Sequence, residues 1–173
     1  MHRFGYAATI LSMAGMLFPN MQLKAQTQNA PAPIAAAMVL KVVGFEKTVG
    51  AASDITIYVL GAADVAAELS KGIGKPVGKG MLKAVETGAD VPAAKPTLLF
   101  VGDAGKAAAA MAYSRANKIL TVTGLPDLVS QGVTLGFGIG EDSKPRVLLN
   151  LTASAEEGLD WNPAILKVAK TVE

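Results

Sequence analysis

The residues able to do chemistry in this 173-residue chain are mostly carboxylates. Glu156-Glu157 and Glu141-Asp142 are adjacent acids, the kind of pair that serves as proton donor and acceptor or holds a hard cation through oxygen. Adjacent residues do not face each other on a helix, and in a turn they point into water, so both pairs are expected on a solvated surface. Nucleophilic and soft-metal chemistry has less to draw on. The chain has no cysteine, and its one histidine is His2. His2 and Arg3 precede an uncharged apolar run from Tyr6 to Phe18, followed by Pro19, Asn20 and Gln22. That run is shorter than the roughly 20 residues of a spanning helix and has the order of an export signal. Cleavage after Ala25 would remove the histidine with it. What remains cannot build a Ser-His-Asp triad, a Cys-His pair, a cysteine redox couple or a zinc site of nitrogen and sulfur ligands. No catalytic residue, metal or cofactor is therefore expected, and the chain is read as a non-enzyme.

Three glycine-rich pieces invite a nucleotide reading and miss its spacing. Gly102-Asp103-Ala104-Gly105-Lys106 follows a predicted strand and opens a predicted helix, so Gly102, Asp103 and Gly105 are a candidate anion site at a helix N-terminus. A P-loop needs four residues between its glycines and a Ser or Thr after the lysine, whereas here there are two, and Ala107 follows. The stretch Gly72 to Gly80 also misses the pattern. Gly136-Phe137-Gly138-Ile139-Gly140 lies on a predicted hairpin strand and marks close backbone approach or a bulge. Three side chains are candidates for partner binding. Phe45 ends the first predicted helix. Arg146, one of two arginines left after cleavage, stands at a hairpin edge. Trp161 is the one tryptophan, flanked by Asp160 and Asn162.

Charge narrows the partner class. Export removes Arg3 and Lys24, so the 16 basic side chains fall to 14 against 14 acidic ones. A neutral chain lacks the basic surface that releases counterions from phosphate, and nucleic acid is not an expected partner. Lys71, Lys75, Lys79 and Lys83 form the one basic run, but interleaved glycines and a proline make it a solvated loop. Without cysteine, an exported chain must be held by its core rather than by disulfides. Its thermal midpoint is expected to be the same with and without dithiothreitol; a shift of several degrees would contradict this reading.

The elements that position these residues follow from periodicity. Residues 26–33 read as a flexible lead and residues 34–173 as one domain, a size that supports a single core. Met38, Val39, Val42 and Phe45 share a helical face after Pro33. Ile55, Ile57 and Val59 alternate with polar residues as a strand, and a helix with Asp64 in its first turn follows. Met81–Val85 is a weaker strand. Thr97–Val101 is an apolar run of the kind buried on both faces of a parallel sheet. A helix over Lys106–Asn117 and a strand over Ile119–Val122 complete a crossover, which is right-handed and implies parallel pairing. A short helix spans Asp127–Ser130. Val133–Ile139 and Arg146–Leu151 form a β-hairpin, and helices over Thr152–Gly158 and Pro163–Val172 close the chain, the last with Ile165, Leu166 and Val168 at core-like spacing and Asn162 as its cap. The fold class is α/β: a single three-layer domain with a mixed, mostly parallel sheet, helices on both faces and a C-terminal β-hairpin.

The block from Gly132 through Gly136-Phe137-Gly138 to Asn150-Leu151, continuing to Ala155-Glu-Glu-Gly158-Leu159 and Ile165-Leu166-Lys-Val-Ala169, resembles the YfiR-like family of periplasmic proteins. The agreement is strong after Thr97 and loose before it. The resemblance implies a periplasmic repressor that binds the periplasmic portion of an inner-membrane diguanylate cyclase, lowering cyclic di-GMP synthesis and biofilm formation. No second apolar run of the length at Tyr6–Phe18 follows, so no membrane span is expected after cleavage, and a homodimer is left open. The alternative from the residues is a periplasmic small-molecule binding module using the crevice near Gly102–Gly105. Cysteines that some relatives pair are absent here, so redox control through them does not carry over.

Overall fold

The computed structural model describes residues 27–172, and the expected export signal over residues 1–25 lies outside them. Nine strands form one sheet: β1 (Gln28–Asn29), β2 (Asp54–Leu60), β3 (Pro76–Val77), β4 (Gly80–Gly88), β5 (Leu98–Val101), β6 (Leu120–Thr123), β7 (Leu135–Ile139), β8 (Pro145–Asn150) and β9 (Ala169–Val172). Six α-helices accompany them: α1 (Ala32–Val42), α2 (Lys47–Ala51), α3 (Ala63–Ser70), α4 (Ala107–Asn117), α5 (Asp127–Ser130) and α6 (Leu151–Glu156). The strand order is β3-β4-β2-β5-β6-β7-β8-β9, with β1 added to β7. The run β4-β2-β5-β6-β7 is parallel, the β7–β8 hairpin is antiparallel, and β9 lies parallel to β8.

Strand alternation builds three layers. Leu98 and Phe100 of β5 face one way, with Leu120 and Val122 of β6, against Ala35 and Val39 of α1 and Val65 and Leu69 of α3. Leu99 and Val101 face the other way, against Ala107 and Ala110 of α4 and Leu128 of α5. Burial on both faces is why β5 is an unbroken apolar run, each such side chain contributing roughly 1.5–3 kcal/mol. β7 behaves differently. Leu135 and Phe137 enter the first core, but Gly136 and Gly138 occupy the second face. A Cβ at Gly136 would sit 2.2 Å from Val129 Cγ2, and one at Gly138 would sit 2.3 Å from Thr27 Cγ2 and 2.7 Å from the Gln28 carbonyl oxygen. The expected close approach at these glycines is therefore what lets α5 and β1 lie on the strand.

The structure departs from expectation at both ends. Residues 28–29, read as part of a flexible lead, pair antiparallel with Ile139 and Gly138, and Ala30 N–H donates to the Gly124 carbonyl. The space opened by Gly138 is what this pairing uses. The closing helix over Pro163–Val172 is instead a five-residue 3-10 turn, Pro163–Lys167, and then β9. Asn162 does cap it, accepting from Ala164 N–H. Ile165 is buried, whereas Leu166 and Val168 stay exposed, because a turn this short buries one side of itself and the chain then joins the unpaired edge of β8.

Candidate partner-binding surface

Two of the three candidate partner residues lie on segments that pair with each other. The 3-10 turn Val43–Phe45 ends α1, and Glu46 then pairs as an isolated antiparallel bridge with Trp161. Asn162 N–H donates to the Phe45 carbonyl at 2.8 Å and Lys47 N–H to the Asp160 carbonyl at 2.8 Å. The Glu46 side chain, fully buried, caps α2 by accepting from Val49 N–H at 2.7 Å, and it also accepts from Asp160 N–H at 3.3 Å. One carboxylate thus satisfies orphan donors of a helix start and of a segment 114 residues away. The exposed Lys47–Asp160 ion pair, at 2.7 Å, adds little. Phe45 and Trp161 are both half-buried, each with one face on the main core. Trp161 Nε1–H donates to Ser154 Oγ at 2.7 Å, fixing the ring over α6. Beside Phe45 lies a hollow of about 380 Å³ lined also by Lys47, Lys79 and Asn162. Of the two aromatic rings, Phe45 lines this hollow and Trp161 lies over α6.

Arg146 is elsewhere. It stands exposed at the start of β8 with its guanidinium 2.8 Å from Asp142 Oδ2, beside Gly140 and Lys170. Gly102, Asp103 and Gly105 lie at the C-terminal ends of β2 and β5, as a nucleotide crevice would. There the loops close on each other. A Cβ at Gly102 would be 2.2 Å from Ala62 Cβ, and one at Gly61 2.5 Å from Asp103 Cβ. Asp103 itself accepts from Gly105 N–H at 2.8 Å, so a carboxylate of the chain stands where an anion would bind.

The adjacent acids separate. Glu141 and Asp142 are exposed, as expected, and so is Glu156, bound to Arg115 at 2.6 Å. Glu157 is the opposite of a solvated acid: 1% exposed, it accepts from Ser114 Oγ–H at 2.7 Å, Thr121 Oγ1–H at 2.6 Å, Thr134 Oγ1–H at 2.7 Å and Thr121 N–H at 3.1 Å. Burial pushes its carboxyl above the usual range, against the pull of the Thr121, Ser114 and Thr134 hydroxyls and the Thr121 N–H, which favour the ionised form. The cluster ties the end of α6 to α4, β6 and the start of β7. Reading Glu157 as a surface residue failed because its partners lie 23 to 43 positions away, where local spacing carries no signal. Glu46 carries a faint local signal, an acid three residues before Val49 at a helix start.

A family model described as YfiR/HmsC-like matches residues 32–170, from the first turn of α1 into β9. The chain belongs to the YfiR/HmsC-like family. The match spans the whole α1-to-β9 architecture, including the Phe45–Trp161 junction. No curated protein sequence matches this chain. Among solved structures, a conserved domain protein from Vibrio cholerae O1 biovar El Tor superposes with a TM-score of 0.54 at 14% identity, covering 84% of this chain and 61% of that one. The ABC domain from Streptococcus pneumonia, solved in complex with L-Trp, gives a TM-score of 0.49 at 14% identity, over 83% of this chain and 60% of that one. The chain thus spans about three fifths of each of these proteins. The Vibrio structure shows that this YfiR/HmsC-like chain shares an α/β fold, and nothing about its partners. Among the described residues, no helix is long and apolar enough to cross a membrane.

Proposed function

We propose that this YfiR/HmsC-like chain is a periplasmic regulator that binds the periplasmic portion of an inner-membrane diguanylate cyclase and holds it inactive, lowering cyclic di-GMP and biofilm formation. The observation that carries the reading is the family match over residues 32–170. Phe45 and Trp161, each half-buried on segments that pair through Glu46 with Trp161 and Phe45 with Asn162, are the residues proposed to make the contact. The action is an equilibrium one: a repressor shifts a sensor only as far as it binds the inactive state better. Moving such a sensor from 1:99 to 99:1 takes a preference of about 10⁴-fold, roughly 5.5 kcal/mol. Half-buried aromatics at the centre of an interface supply energies of that order, about 2 kcal/mol or more each on truncation.

Deleting the gene is expected to raise cellular cyclic di-GMP. The purified chain is expected to retain, from solubilised inner membrane, a membrane protein bearing a diguanylate cyclase domain. Phe45→Ala with Trp161→Ala should abolish that retention while leaving the far-ultraviolet circular dichroism unchanged. Unaltered cyclic di-GMP in the deletion strain would defeat the proposal, as would substrate turnover by the purified chain.

A further inference from the structure

A groove of about 480 Å³ opens between α1, α3 and the β3 turn, and it shares no lining residue with the hollow beside Phe45. Its floor is apolar, formed by Ala37 and Leu40 of α1 and by Pro76. Gly72 shapes it: a Cβ there would lie 2.7 Å from Leu40 Cδ1, so the missing side chain is what lets Leu40 settle between the helices. The rim carries three ammonium groups, Lys41, Lys71 and Lys75, against one carboxylate, Glu68. Lys71 and Glu68 pair with each other at 2.7 Å. Lys41 and Lys75 have no ionic partner among the described residues. The rim therefore holds a net positive charge of about two beside an apolar floor, in a chain whose charges after residue 25 balance overall.

We propose that this groove binds a small amphipathic anion, an apolar body bearing one carboxylate or sulfonate. The apolar part displaces water from Leu40, Ala37 and Pro76, and the anionic head lies between Lys41 and Lys75. A neutral apolar ligand would crowd those ammoniums without answering their charge, and a cation would be repelled. Lysine suits this role because it is a flexible point charge that needs no planar, bidentate partner. The volume falls in the range of clefts that take small molecules, roughly 300–1,000 Å³. This site is separate from the proposed cyclase contact and does not depend on it.

The test uses purified protein and two probes with the same ten-carbon tail, sodium decanoate and decyltrimethylammonium bromide, each below its micellar concentration. Decanoate is expected to give saturable heat in titration calorimetry with one site per chain, and decyltrimethylammonium none. Lys41→Gln with Lys75→Gln should weaken decanoate binding about twofold to thirtyfold, the loss of two exposed charge pairs. Ala37 is exposed on α1, so Ala37→Trp should keep the fold, fill the groove and abolish binding. If that variant loses its circular dichroism spectrum, the double lysine variant decides. Equal binding of both probes overturns the proposal, as does decanoate binding undiminished by the lysine changes. Co-sedimentation with phosphatidylglycerol vesicles without any binding of free decanoate also overturns it, making the face a membrane contact instead.

Discussion

Glu157→Ala is expected to destabilise the fold by about 3 kcal/mol, because three hydroxyls and one backbone N–H lose a shared buried acceptor together. Glu157→Gln should cost less than half as much. The Ser114 hydroxyl lies 3.0 Å from the Met111 carbonyl as well as 2.7 Å from Glu157, so it can turn its proton to Met111 and accept from an amide or from a protonated carboxyl. The same geometry sets the pH dependence. Burial raises the folded-state carboxyl above its ordinary value of 4.5, so the native state holds the proton more firmly than the unfolded chain does. The stability this contributes is fully present below the unfolded value and is lost as pH rises through the folded one. The charged groups nearby, Arg115 paired with Glu156 and Lys118 donating to the Glu156 carbonyl, lie toward solvent. Measured by urea unfolding between about pH 4 and pH 8, the advantage of the wild-type chain over Glu157→Gln should decline as pH rises from the unfolded value and level off above the folded one. A flat difference, or a glutamine variant as damaged as the alanine one, would remove the cluster from the account.

Gly136→Val is the second large effect, expected at about 3 kcal/mol or more. The new Cβ would stand 2.2 Å from Val129 Cγ2, a distance no packing tolerates, so α5 has to move off the sheet. That movement reaches further than the clash. Asn150 Nδ2–H donates to the Val129 carbonyl at 2.8 Å while Asn150 Oδ1 caps α6 by accepting from Ala153 N–H at 2.8 Å, so displacing α5 loosens the start of α6 as well. A double-mutant cycle separates overpacking from a general intolerance of the strand: in a Val129→Ala background, the penalty for Gly136→Ala should fall by about half or more. Independent, additive penalties would show that Val129 is not what holds the position to glycine.

How legible each part was depended on how far apart in the chain its causes lie. The Thr97–Val101 run reads as a doubly buried parallel strand, and β5 is one, because apolarity on successive residues is itself the trace of burial on both faces. Alternation over Ile55–Val59 and the polar turn between β7 and β8 are equally local, and they give the strand β2 and the antiparallel β7–β8 hairpin. The stretch Lys167–Val172 defeats this kind of reasoning. Its apolar spacing suits a helix, but the free edge of β8, set by pairings elsewhere, makes it a strand. The same holds for Gln28–Asn29, whose place depends on the space beside Gly138.

The amino-acid sequence by itself determined the class of the fold, the order of its central elements, the absence of cysteine chemistry and the family, since each of these is written in composition or in patterns a few residues long. The tertiary structure alone decided which acid is buried, that the segment around Phe45 pairs with the one around Trp161, that the crevice at Gly102 is closed, and that two lysines flank an open apolar groove. Those outcomes depend on residues brought together from as far as 117 positions apart, Phe45 and Asn162 among them, and no local spacing encodes such a meeting. The physical reason is that burial and pairing are properties of the assembled sheet and its layers, while propensity and periodicity act over a turn or two of chain.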